Sequence, residues 1–191
     1  MWVLSDDGLS VIFTTSNHID PLHDNSRKQV YHKDIANSSY ALLSTSLDGL
    51  EEADSNTRVK NVSNTGRYVL MASYADNLTS DTINNIGENL FILDRQDNSR
   101  VLVNITPTGN NSSDSESTSN IAAISNFGQV VFRSDQEDLV TNDSNNRDDI
   151  FYFDNGIITR INLDANGDEL TSSNTANSAE ISGDGSRIAF I

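Results

Sequence analysis

The chain of 191 residues contains no cysteine, so disulfide bonds, thiolate metal sites and cysteine nucleophiles are all excluded. Long apolar runs are also missing: residues 68–72 form one of the longest, far short of the roughly 20 residues needed to cross a bilayer. Runs of that length suit β-strands. The amino terminus has no basic region ahead of an apolar stretch, so any export signal is expected upstream of this sequence.

Basic side chains are scarce. The chain has 12 Lys and Arg against 28 Asp and Glu, which gives a net charge of −16 at pH 7. A surface of this sign repels phosphate backbones and anionic lipids. Nucleic acid is therefore not expected as a partner, and neither membrane binding nor membrane insertion is expected, whereas basic proteins, neutral glycans and divalent cations remain compatible with the charge.

What the sequence does contain is a repeat. A Ser-x-x-Gly pattern occurs four times, at residues 5–8, 63–66, 125–128 and 182–185, with its glycines 58, 62 and 57 residues apart. Short β-branched and aromatic segments flank each copy. Glycine suits turns that need a positive φ, and Ser, Asn and Asp can hydrogen-bond the local backbone. Each copy therefore predicts the turn of a β-hairpin.

A second strand pair follows in each of the first three repeats. The predicted pairs are 30–34 with 40–44, 90–94 with 101–105, and 150–154 with 158–163. No window of a dozen residues has helical periodicity, and four short strands in about sixty residues match one blade of a β-propeller. The sequence thus predicts an all-β chain of about three and a half four-stranded antiparallel blades, near residues 1–55, 56–117, 118–176 and, partial, 177–191.

Several segments carry a family resemblance: ISGDGSRIAF (181–190), NLTSDT (77–82), DLVTND (138–143) and DDIFYFD (148–154). They resemble the TolB-type, WD40-like β-propeller repeat, in which a Ser-x-Asp-Gly turn leads to an Ala-Phe strand, an Asn-Leu-x-x-x-Asp loop and an Asp-Ile-Phe-x-x-Asp strand. The resemblance spans essentially the whole chain. It implies a noncatalytic module of a bacterial secreted, periplasmic or surface protein, acting in protein or ligand binding or as a scaffold.

Two other functions stay open. The blades could form the accessory propeller of a hydrolase or lyase, or an adhesin module stiffened by calcium; the Gly-x-Ser-x-Gly elbow of many hydrolases is absent. Because the last predicted blade has only two strands, either the chain is a segment of a longer protein or copies self-associate to close the ring. A protein or glycan partner is expected in either case, and no residue identifies it.

The loop between the second and third strands is the most acidic recurring element. It holds Asp81 and Asn84 in the second repeat, and Asp143, Asn145 and Asp149 in the third. Hard cations such as Ca²⁺ prefer carboxylate and amide oxygens, so these five residues are the candidate metal ligands and calcium is the candidate cofactor. The competing interpretation is that of ordinary polar loops, since the spacing does not match an EF-hand loop.

Three other polar features are assigned structural roles, and no catalytic residue is predicted. Residues 164–169 begin like a calcium loop but are predicted to form a turn, because Asn-Gly is a strong turn signal. The aspartates that end the third strands, Asp34, Asp94 and Asp154, are predicted to cap their hairpins by accepting backbone N–H groups. The histidines all fall in the first repeat and are predicted to lie in solvent rather than to bind metal: His18, His23 and His32.

Overall fold

A computed structural model describes residues 2–22, 26–83, 87–109, 121–170 and 178–191. Strands are the only regular elements in these ranges, which contain no helix able to span a bilayer. Blade 1 consists of β1 (Trp2–Leu4), β2 (Ser10–Thr15), β3 (Gln29–Asp34) and β4 (Tyr40–Leu42). Blade 2 consists of β5 (Thr57–Val62), β6 (Tyr68–Ser73), β7 (Asn89–Asp94) and β8 (Arg100–Leu102). Blade 3 consists of β9 (Ala122–Ile124), β10 (Val130–Ser134), β11 (Asp149–Asp154) and β12 (Ile157–Arg160), and a last hairpin of β13 (Ala179–Ile181) and β14 (Ile188–Phe190) follows it.

Each blade is an antiparallel meander in which strands pair in chain order, β1-β2-β3-β4, β5-β6-β7-β8 and β9-β10-β11-β12. The predicted all-β, four-stranded blades are thus confirmed. The fourth strands end earlier than predicted, at Leu42, Leu102 and Arg160. The reason is local: a polar residue soon after each end turns its side chain back onto the third strand instead of extending the sheet.

The four predicted hairpin turns are present. In each, the glycine N–H donates to the carbonyl of the serine three residues before, at 2.8 to 3.4 Å. The glycines have φ between 70° and 82°, a region that costs other residues about 1 to 2 kcal/mol. The serine hydroxyl then accepts an N–H from the start of the next strand, as Ser63 does from Tyr68 at 3.0 Å. These local bonds explain why so short a motif determines the turn.

The hydrophobic cores lie between neighbouring blades. Along β6, alternate side chains enter different cores: Leu70 and Ala72 pack against blade 3, whereas Val69 and Met71 pack against blade 1. All four are fully buried. Because successive side chains of a strand point to opposite faces, a middle blade must be apolar on both. This explains why β6 is a continuous apolar run rather than an alternating one.

The hairpin turns also link the blades. Asp6 N–H donates to the carbonyl of Asn64 at 3.2 Å, and Asn126 N–H donates to the carbonyl of Gly183 at 2.8 Å. Thr65 N–H donates to the side-chain oxygen of Asn126 at 3.2 Å. The first strands β5, β9 and β13 contact one another in series. The blades are therefore arranged around a common line of inner strands, as in a propeller.

Candidate functional site

Each four-stranded blade contains a buried polar pair, which we call the blade clip. It joins the first residue of the third strand to a residue just beyond the fourth: Gln29 with Ser44 at 2.6 Å, Asn89 with Asn104 at 2.8 Å, and Asp149 with Asn162 at 2.5 Å. The second member also accepts the next backbone N–H of the third strand, at 2.9 to 3.0 Å. Asp149 thus occupies a structural position that recurs in every four-stranded blade. Of the three described clips, only the one in blade 3 contains a charged residue.

A buried charge requires a partner, and Arg160 supplies it. Its Nη1 lies 3.2 Å from Asp149 Oδ2, 3.0 Å from Asp143 Oδ1 and 2.7 Å from Glu169 Oε1. Nη2 donates to the carbonyl of Asn142 at 3.0 Å, and the Arg160 side chain is buried. One guanidinium therefore faces three carboxylates. The Arg160 cluster, as we call these four charged residues, keeps an excess of two negative charges.

The carboxylates of this cluster differ in their proton affinity. Burial, followed by the charge of Asp149, raises the pKa of Asp143 to about 6 in spite of Arg160. Asp143 Oδ1 lies near the guanidinium but not in hydrogen-bonding geometry, and its side chain is 3% exposed. The N–H of Ser144 and then the Arg160 guanidinium lower the pKa of Glu169 to about 2. Asp143 is therefore the least well satisfied of these groups.

The predicted ligands are brought together only in part. Asp143 and Asp149 meet in the Arg160 cluster, and Asn145 Nδ2 donates to Asp149 Oδ2 at 3.3 Å. The oxygen of Asn145 is engaged by the N–H of Arg147 at 2.9 Å. Asp81 lies in the corresponding loop of blade 2, and Asn84 falls outside the described residues. The calcium assignment stays a prediction.

Two members of the cluster, Arg160 and Glu169, were not among the residues predicted as metal ligands. Glu169 closes the turn at residues 164–169, which the structure confirms through the bond from Gly167 N–H to the Asp164 carbonyl at 3.0 Å. Arg160 stands at the end of β12 two positions after Ile158, so both share a face. This pattern could have predicted a buried ion pair, because an arginine on the same strand face as a core-facing apolar residue needs a carboxylate partner.

Chemically, the cluster offers two possibilities. Carboxylate oxygens of Asp143, Asp149 and Glu169 all lie within 4.8 Å of one another, a spacing that suits a hard cation. In the structure these oxygens surround the guanidinium of Arg160, whose positive charge offsets part of their negative charge as a bound cation would. A divalent cation would have to displace this guanidinium.

A Ser–His contact in blade 1 resembles half of a hydrolytic triad. His32 Nε2 lies 3.0 Å from Ser10 Oγ, but its Nδ1 lies 3.0 Å from Nη2 of Arg95, where a triad would hold a carboxylate. Arginine only donates hydrogen bonds, so Nδ1 must accept and the proton must reside on Nε2. Burial, together with the Arg95 charge, lowers the pKa of His32 and favours this neutral form. Ser10 thus faces a donor rather than a base.

The structure also corrects two assignments. His32 lies half-buried in β3 and joins blade 1 to blade 2 through Arg95, so its predicted solvent position is wrong; His18 lies in the β2–β3 connection, and His23 is outside the described residues.

The capping role is confirmed for Asp34 and Asp94, which accept the N–H groups of residues 37 and 96 at 2.9 Å. It is wrong for Asp154, which accepts from side chains because a two-residue Asn-Gly turn follows it directly.

Neither a family model nor a curated protein sequence matches this chain. Solved structures do match it. TolB from Acinetobacter baumannii aligns over 99% of this chain and 36% of its own, with a TM-score of 0.54 and 14% identity. Dipeptidyl peptidase 4 from Porphyromonas gingivalis aligns over 99% of this chain and 28% of its own, with a TM-score of 0.56 and 15% identity. The chain therefore spans well under half the length of these proteins, and shares with them the blades of a TolB-type β-propeller fold.

Proposed function

We propose that this chain is a noncatalytic β-propeller module of a bacterial extracytoplasmic protein, and that it binds a protein or ligand or serves as a scaffold. The likeness to TolB supports an interaction module, and the likeness to the peptidase is the reason to consider an enzyme. The observation that carries the noncatalytic part is the Ser10–His32–Arg95 arrangement. It places an arginine where catalysis by serine needs a carboxylate.

Labelling with a fluorophosphonate probe tests the noncatalytic proposal. Such a probe reacts with serines that a neighbouring base activates. We expect no labelling of the wild-type chain, and no difference between it and Ser10→Ala. Labelling that Ser10→Ala abolishes would contradict the proposal and favour a hydrolase.

The binding part of the proposal is tested by partner capture. The net charge of −16 favours a partner with a basic surface, because opposite charges raise the association rate. Cross-linking to proteins of a bacterial envelope extract, followed by mass spectrometry, should give a partner whose retention falls as salt rises. Salt-independent capture, or none beyond that of an unrelated acidic protein, would argue against it.

A calcium-stiffened module is the second candidate. The observation in its favour is the buried Asp143 oxygen, which lacks a hydrogen bond within a cluster of excess negative charge. We expect millimolar CaCl₂ to raise the melting temperature of the wild-type chain more than MgCl₂ does, and Asp143→Asn to remove the difference. Equal melting temperatures in both salts would eliminate this candidate.

A further inference from the structure

Two of the three lysines of this acidic chain line one cavity. It has a volume of about 640 Å³ and lies between β2 of blade 1 and β5 of blade 2. Its described walls combine three cationic side chains, three hydroxyls and one apolar residue: Lys28, Arg58, Lys60, Thr14, Thr15, Ser16 and Val59. We call it the basic interblade pocket. Its size falls in the range of pockets that hold small molecules, about 300 to 1,000 Å³.

A β-bulge places Lys60 in this pocket. β5 pairs with β6 residue by residue up to Val59, and the register resumes at Asn61, so Lys60 is the extra residue. Val59 and Val62 both pack in the core shared with blade 1, although an unbroken strand would send residues three apart to opposite faces. The bulge thus keeps both valines in that core, and the extra residue Lys60 lines the pocket beside it. Bulges that redirect a side chain are common beside binding sites.

Backbone contacts between the blades hold the walls of the pocket. Thr14 Oγ1 accepts the N–H of Val59 at 3.0 Å. Thr57 N–H donates to the carbonyl of Lys28 at 2.7 Å, and Lys28 N–H donates to Asn56 Oδ1 at 2.8 Å. Among the described residues, the Thr14 hydroxyl hydrogen and the Lys28 ammonium have no hydrogen-bond partner, so both can turn toward a ligand. The pocket is therefore built by the blade junction itself.

The pocket carries an excess of positive charge. Arg58 forms an ion pair with the buried carboxylate of Glu88, while its own side chain stays 44% exposed. Within the described part of the chain, the half-buried ammonium of Lys60 makes no hydrogen bond or ion pair. Burial lowers the pKa of Lys60, and the charge of Glu88 offsets this only in part. Three cations and one carboxylate leave two positive charges in a protein that is otherwise strongly negative.

We propose that the basic interblade pocket binds a small organic polyanion, with the Lys60 ammonium and Arg58 guanidinium on its oxyanion group and the hydroxyls of Thr14 and Ser16 as further donors. Carboxylate and phosphate groups share this chemistry, since both accept charge-assisted hydrogen bonds from ammonium and guanidinium groups. This site is separate from the Arg160 cluster, which lies in blade 3 and has more carboxylates than cationic groups.

The small number of lysines permits a direct test. Reductive methylation with isotope-labelled methyl groups keeps the charge of Lys28, Lys33 and Lys60 and gives each one an NMR signal, assigned by the three single Lys→Gln variants. Inorganic phosphate and citrate are titrated separately at constant ionic strength. We expect saturable shifts of the Lys28 and Lys60 signals and none of Lys33. Tighter binding of citrate than of phosphate identifies a polycarboxylate as the ligand class, and the reverse order a phosphate ester.

Affinity measurements on variants complete the test. Lys60→Gln should weaken binding of the preferred anion about tenfold, because one charge-assisted contact is lost. Lys33→Gln is the matched control: Lys33 is half-buried like Lys60, but its Nζ lies over the Tyr40 ring at 4.0 Å, and this variant should bind as the wild type does. If Lys60→Gln fails to fold, Lys28→Gln takes its place. Unshifted signals, equal shifts of all three lysines, or unchanged affinity in the pocket variants would overturn the proposal.

Discussion

Replacing Asp143 by Asn should stabilise the protein at neutral pH. Burial raises the pKa of this carboxyl from 3.8 to about 6, so the folded state holds a proton that the unfolded state has already released. Between these values the folded state binds more protons, and stability must fall as pH rises through about 4 to 6. A pKa difference of about two between the folded and unfolded states lowers the free energy of unfolding at neutral pH by ~3 kcal/mol. The neutral amide of the Asp143→Asn variant would avoid this cost, while Arg160 keeps two carboxylate partners.

Urea denaturation followed by circular dichroism measures this effect. At about pH 7.5 the free energy of unfolding of Asp143→Asn should exceed that of the wild type by ~2 to 3 kcal/mol, and near pH 4 the two should agree. Asp81→Asn, in the corresponding loop of blade 2, changes the same net charge away from Arg160 and serves as the control. Destabilisation of Asp143→Asn at neutral pH would refute the reasoning, since it would mean that the cluster needs the third carboxylate.

Three further predictions concern the turns, the blade contacts and the clips. Gly185→Ala should lose more stability than Gly8→Ala, about 1 kcal/mol for the latter. Both glycines have a φ of 70°, but the Cβ at 185 would displace the Gln129 amide, whose oxygen accepts a hydrogen bond from the Ser125 hydroxyl; thermal melts compare the two variants. Arg95→Met should raise the pKa of His32, followed by NMR titration, because a nearby positive charge is removed. Asp149→Asn, which copies the clip of blade 2, should keep the fold, whereas Asp149→Leu should lose ~2 to 4 kcal/mol in urea denaturation.

The blades could be predicted from the sequence because their signals are local. The Ser-x-x-Gly turns depend on bonds within five residues, and the apolar strands between them repeat at a period of about sixty. The clips escaped prediction because their residue types differ from blade to blade: Ser44, Asn104 and Asn162 accept the same backbone bond with different side chains. Their equivalence becomes visible only when the strand registers are known.

The charged sites depended on information that the sequence does not display. Arg160 meets Asp143 and Glu169 across the loops of one blade, and which face it takes depends on where β12 starts. No glycine marks the β-bulge at Lys60 in the sequence. The bulge arises because the side chains of Val59 and Val62 both pack in the same core. In each case packing at a distance decides the position of a charge. Composition could indicate only that such charges would need partners.

Because β6 sends alternate side chains into two different cores, a middle blade has two faces, and each face packs against one neighbouring blade. A gene that duplicates such a unit therefore inserts a new blade with compatible faces already in place, and no second interface has to evolve with it. The array can vary in length by whole blades while its junctions stay the same. New functions can then arise where the blades differ, such as at the charged clip of blade 3 and the lysine bulge of blade 2. The fold tolerates such changes because each blade contacts only its neighbours.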